Sequence, residues 1–203
     1  MLKTICAVVA VSMMGSFAQA ETVIRSTVTS EDLTIEGIGN VATSNAIMLS
    51  GYRIMDNNLA LIGGFSYITG SVLNFTLSGS TFSAGAGYAL SNDLDMEKGT
   101  GSTTVLGAQF ANTRLEVNNI DASESSTSVG LIGNIALASG VSAEYAFSSP
   151  TDNLGSTIVY SAGISWDTDF FGEIRLGLVG GQSNVDGVDL DTTGWYLGSI
   201  SRF

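Results

Sequence analysis

The sequence predicts an all-β fold: a closed antiparallel transmembrane β-barrel of ten strands, with eight as the alternative. Three observations carry it. Runs of about ten residues alternate apolar with small or polar side chains, the period of two that belongs to a strand. Polar turns separate these runs along the whole chain, and the last run closes on Phe203.

The first twenty residues stand apart. Lys3 supplies a positive start, Ile5 to Met14 are uncharged and apolar, and Ala18-Gln19-Ala20 is a small-x-small cleavage pattern before Glu21. That is the layout of a secretory signal peptide, and its apolar part is shorter than the ~20 residues a membrane-spanning helix needs. The expected division is therefore 1–20 signal peptide and 21–203 outer-membrane barrel domain. Cys6, the single cysteine, leaves with the signal, so no disulfide can staple the exported chain and closure or a membrane must stabilise it. The formal net charge is −12, and one unit more negative once Lys3 is gone. Such a balance argues against a nucleic-acid partner, which needs basic patches.

The alternation is read segment by segment. From Ala46 to Ile54, the residues Ala46, Met48, Tyr52 and Ile54 share one side, with Gly51 and Arg53 on the other. Leu59, Leu61, Phe65 and Tyr67 oppose Ala60, Gly64 and Ser66; Phe82, Ala84, Ala86, Tyr88 and Leu90 oppose Thr81, Ser83, Gly85, Gly87 and Ala89. Leu106, Ala108 and Phe110 mark a weaker segment. In the second half, Val129 to Leu137, Val141 to Phe147, Ile158 to Trp166, Ile174 to Leu178 and Trp195 to Phe203 repeat the pattern.

A soluble secreted β-sandwich also alternates. Two details favour the membrane. Aromatic residues (Phe82, Tyr88, Trp166, Trp195, Phe203) sit toward the ends of the apolar faces, as interfacial girdles do. Charges within the segments fall on the opposite face: Arg53, Glu144, Glu173, Arg175 and Arg202. Small residues with a few Arg and Glu suit the inside of a narrow barrel. These five are the candidate lumen ion-pair network.

The links alternate in character. Asp56-Asn57-Asn58, Ser91 to Asp95, Ala138-Ser139-Gly140 and Asp167 to Phe171 read as short turns. Gly70 to Ser80, Asn112 to Ser126, Ser149 to Gly155 and Ser183 to Asp191 read as longer external loops, the arrangement of outer-membrane barrels. Counting back from Phe203 makes Ala46–Ile54 the ninth strand from the end. An even total requires one more, expected at Thr22–Thr29 or Asp32–Gly39; eight results if two segments such as those flanking Asn112 are loop. The loops then hold Glu116, Asp121 and Glu124, and Asp186, Asp189 and Asp191. The last trio lacks the Gly and distal Glu of a calcium loop and reads as solvated charge, so no metal site is assigned.

The sequence has no histidine, which removes the Ser-His-Asp arrangement and the commonest general base and metal ligand. Nucleophile elbows and P-loops are absent. No catalytic residue and no cofactor is assigned.

On the Tyr52-to-Tyr67 hairpin around Asp56-Asn57-Asn58, and on the final Gly198 to Phe203, the chain resembles the small outer-membrane β-barrel proteins of Gram-negative bacteria, the OmpA-like and opacity-type group. The resemblance is one of pattern over residues 21–203. It implies that Gly198 to Phe203 is an assembly signal read by the barrel-assembly machinery, with Ser201 departing from the large apolar residue usual there. The barrel enzymes of that membrane rely on a catalytic His, so none of their chemistry carries over. The expectation is a non-enzymatic, monomeric barrel in the cell outer membrane, surrounded by its lipid, with a narrow polar lumen and a structural or surface-interaction role. A passive pore for small solutes is the alternative.

Overall fold

The computed structural model describes residues 21–35, 37–72, 75–117, 120–151, 156–168, 172–185 and 188–203. The expected signal segment 1–20 and Asp186 lie outside the described residues. Ten strands follow one another: β1 (Thr22–Ile35), β2 (Gly39–Ile54), β3 (Leu59–Val72), β4 (Phe75–Asn92), β5 (Ser102–Val117), β6 (Ile120–Ala138), β7 (Val141–Pro150), β8 (Ser156–Thr168), β9 (Gly172–Val185) and β10 (Val188–Arg202). Each pairs antiparallel with its chain neighbours, and β1 closes on β10 from Val23↔Arg202 to Ile35↔Leu190. The seam extends one step further, since Thr22 and Phe203 exchange N–H···O bonds of 3.0 Å in both directions. Closure leaves no edge on which backbone N–H and C=O groups lack partners. The count is ten, and the extra strand begins at the first of its two expected positions and runs into the second.

Three of the expected external loops are mostly strand. β3 and β4 run on to Val72 and from Phe75, β5 and β6 to Val117 and from Ile120, β9 and β10 to Val185 and from Val188. Polar cross-strand pairs line these extensions: Thr81–Thr113 at 3.0 Å, Asn112 donating to Ser125 at 2.9 Å, and Arg114 to Asp121 at 2.8 Å. Glu116, Asp121, Glu124, Asp189 and Asp191 thus stand on strands. Polar residues stand on both faces over much of these extensions, Thr81 and Thr113 on one and Asn112 and Ser125 on the other, so hydropathy alternates only weakly although the backbone ladder continues.

At the lower end, where Thr22 and Phe203 meet, the links are tight. Asn58 N–H bonds the Met55 carbonyl at 2.9 Å, and Asn58 takes φ 62°, a left-handed conformation that Asn tolerates. The link after Asn92 is longer than the sequence suggests. It reaches Gly101, is held by the Asp95↔Thr100 bridge, and carries Lys98 Nζ 2.6 Å from Asp95. The hydrogen bond from Lys98 holds the Asp95 carboxyl below its usual range.

Side chains divide between two surfaces. Leu61, Phe82, Leu106, Phe110, Ile135, Leu137, Ile164, Leu176, Leu178, Trp195 and Leu197 point outward and are 44 to 69% exposed, an apolar belt far beyond what a water-facing protein presents. Strand β2 departs from the expectation. Its outward residues are Ile47 and Arg53, the latter in register with outward Leu61, while Tyr52 and Ile54 point inward with relative exposures of 0 and 1%. They join Val23, Ala60, Ile62, Ala89, Val105 and Ile200 in an apolar cluster inside the barrel wall, with Ile132 packed against it. The lower lumen is therefore half apolar rather than uniformly polar.

A closed barrel of this kind resists detergent until heated. The unboiled, refolded protein should migrate differently on a gel from the boiled one; identical migration, with solubility in detergent-free buffer, would point to an open sheet.

Candidate functional site

The polar residues of the lower lumen come from β1, β2, β5 to β10 and the residue before β1. Parity puts Arg25, Thr27 and Thr29 of β1 inside, because Ile24 and Val28 face out. Around the closed sheet β6 lies five places from β1 in either direction, directly across the lumen. Arg25 spans that gap, donating from Nη2 to Asn134 Oδ1 at 2.6 Å. Behind it the Tyr52 ring centroid lies 5.3 Å from the guanidinium carbon, a contact that stabilises a cation screened from water.

A hydrogen-bond chain runs on from Asn134 along the opposite wall. Asn134 Nδ2 donates to Ser142 Oγ at 3.3 Å, Ser142 and Ser165 hydroxyls are 2.7 Å apart, and Ser165 donates to Glu173 Oε1. A carboxylate only accepts, so the Ser165 proton is committed to Glu173 and Ser142 must donate to Ser165. The sense is fixed from Arg25 to Glu173, and aligned chains of this kind strengthen one another in a low-dielectric interior. Arg202 closes the far end on Glu173 with Nε at 2.8 Å and Nη2 at 3.2 Å, a two-pronged contact that suits a planar guanidinium. Its Nη1 faces Glu21 Oε1 at 3.6 Å, and Glu21 Oε2 lies 3.5 Å from Thr103 Oγ1. Burial pushes the Glu21 carboxyl up from its usual range, with Arg202 opposing.

A second brace lies just above. Arg175 Nη2 meets Glu144 Oε2 at 2.7 Å, its Nη1 donates to Thr27 Oγ1 at 3.1 Å, and its guanidinium carbon stands 4.5 Å over the Tyr196 ring. Tyr196 in turn points its hydroxyl at Glu144 Oε2, 3.5 Å away. The ring crosses the neighbouring strands only because they carry glycine: a Cβ on Gly163 or Gly177 would fall 2.2 to 2.5 Å from Tyr196 atoms.

Of the five residues the sequence nominates, the structure brings Glu144, Glu173, Arg175 and Arg202 into this network. Arg53 is not in it. Because β2 carries apolar residues on both faces, choosing Met48 and Tyr52 as its outer face inverted the strand, and Arg53 sits outside beside Leu61. Arg25, Asn134, Tyr196, Ser142, Ser165 and Glu21 were missed. Arg25 had a usable signal, a charge between outward Ile24 and Val28; parity also puts neutral Asn134 and the serines inside, but no charge marks them as members of a network. Gly198 lies in β10 opposite Thr27, where a Cβ would come within 2.0 Å of the Ser26 carbonyl, and Phe203 is 69% exposed on the outer face. Among the described residues no group of acidic side chains is arranged to hold a metal.

Above the braces lies a cavity of about 250 Å³. Arg25, Arg175, Glu144 and Tyr196 form its floor, and Met48, Ile62, Ile132, Val159 and Val179 stand among small polar residues in its walls.

No family model and no curated protein matches the sequence. The structure is similar to that of neisserial surface protein A, at 12% identity and TM-score 0.47, covering 92% of this chain and 100% of that one. It is similar also to the attachment invasion locus protein of Yersinia pestis, at 14% identity and TM-score 0.38, covering 91% and 100%. A third is the translocator domain of the autotransporter NalP from Neisseria meningitidis, at 10% identity and TM-score 0.46, covering 98% and 94%.

Truncating one member of a buried pair strands the other charge. Glu173→Ala should cost about 3–5 kcal/mol in unfolding free energy, whereas Arg114→Ala, at an exposed pair with Asp121, should cost under about 1 kcal/mol. Denaturant titration of both variants checks the contrast; equal costs would mean that the lumen pair is as wet as the surface one.

Proposed function

We propose that the chain is a non-enzymatic outer-membrane barrel with a structural or surface-interaction role, and that it does not conduct solutes. The observation that carries this is the brace across the full lumen from Arg25 to Asn134, backed by the Arg175–Glu144 and Arg202–Glu173 pairs. A pore lining needs charged side chains held against the wall with water between them; these reach across and bond one another. The apolar belt supports the membrane as its surroundings, since water solvates such a surface poorly and lipid does not. Gly198 to Phe203 would then guide insertion, with Phe203 among the outward aromatics.

The polar strand extensions stand above the belt and are the part offered to the exterior. Glu116, Asp121, Glu124, Asp189 and Asp191 give that surface a negative field, which favours cationic over anionic partners.

Planar-bilayer recording of the refolded protein tests the closed lumen. The wild type should give no resolved open-channel steps, and the Arg25→Ala/Arg175→Ala double variant should give them or leak. Stepwise currents through the wild type that vanish on heat denaturation would make it a pore.

A further inference from the structure

We propose that the cavity above the braces binds a small organic monoanion, a carboxylate with a short apolar body, with its head on Arg25. The inference rests on the barrel reading with a closed lower lumen, which leaves the cavity approachable from the upper end.

Charge comes first. Arg175 has Glu144 at 2.7 Å and Arg202 has Glu173 at 2.8 Å. Arg25 is 3% exposed and, among the described residues, has no carboxylate within salt-bridge distance; its one hydrogen bond goes to the neutral oxygen of Asn134. Its Nε and Nη1 are buried without a partner, as is Nε of Arg175. Buried guanidinium N–H groups left unpaired are costly. All three belong to residues that line the cavity floor.

The floor therefore carries two cations and one anion, Glu144, and the surplus is a single positive charge. That selects a monoanion over a dianion. Among the described lining residues, unpaired N–H donors outnumber unpaired acceptors: beside those three stand Glu144 Oε1 and the Thr29 hydroxyl, which can itself donate. An acceptor-only head such as a carboxylate fits the donors, in the planar geometry a guanidinium favours.

The walls decide the rest of the ligand. Met48, Ile62, Ile132, Val159 and Val179 present apolar surface to the interior, where a fully polar ligand would gain nothing over water. At roughly 30 Å³ for each water-sized group, 250 Å³ admits about eight heavy atoms, the size of hexanoate.

The test is titration of the refolded, heat-modifiable barrel in detergent micelles with hexanoate, hexanol and hexylammonium, against an empty-micelle blank. Calorimetry and the arginine Nε–Hε resonances read the binding. Hexanoate should bind saturably, at least tenfold tighter than the other two, and shift one resonance that Arg25→Met removes; that variant should bind at least tenfold more weakly. Should Arg25→Met fail to fold, Ser161→Trp fills the cavity from β8 with Arg25 intact and should abolish binding. A folded wild type that ignores hexanoate, or takes hexylammonium equally well, overturns the site, as does undiminished binding by Ser161→Trp. Loss of heat-modifiability in the wild type would instead overturn the barrel reading beneath it.

Discussion

Joining β1 to β10 through a continuous ladder removes every sheet edge, but it also creates an inside. Ten strands enclose more space than two facing rows of ordinary side chains fill, and whatever occupies it is shut away from bulk water. Each residue of the lower lumen answers to that constraint. Apolar side chains must pack against one another, and each polar atom must find a partner across the barrel or along its wall.

The interior solves this in two halves. Against β1 to β5, Tyr52, Ile54, Ile62 and Val105 form an apolar cluster. Against β6 to β10 stand Asn134, Ser142, Ser165 and Glu173, joined by a chain with a single direction. Arg25 stitches the halves, its guanidinium lying over Tyr52 and its Nη2 on Asn134. Small residues are as necessary as large ones: Gly163 and Gly177 clear the path along which Tyr196 reaches Glu144. The same packing that denies passage through the lower lumen leaves Arg25 short of an anion, so closure and the cavity above it have one cause.

Much of this was legible in the sequence wherever the two faces of a strand differ in kind. β4, β6 and β9 set Leu, Ile or Phe against Gly, Ser or charge, and their inward residues, Glu173 and Arg175 among them, are placed correctly by parity alone. β2 was not legible, because large side chains stand on both of its faces, Ile47 and Leu49 on one and Met48 and Tyr52 on the other; pairing with Ala60 and Ile62 fixes which side is in. With that ambiguity, alternation alone assigns Arg53 to the lumen and Tyr52 to the outer face, the reverse of where they stand. The upper strand extensions were hidden for the opposite reason, since residues such as Asn112, Thr113 and Ser125 are polar on both faces. Arg25 to Asn134 was beyond reach, because a contact across a closed sheet depends on the strand count and on register together.

Arg25 and Asn134 brace the lumen across its full width. A double-mutant cycle with Arg25→Met, Asn134→Leu and the pair, read by denaturant unfolding in lipid vesicles, measures that brace. The expected coupling is about 1.5–3 kcal/mol, as for a buried hydrogen bond to a charged group. Additive effects, with no coupling between the two sites, would contradict it.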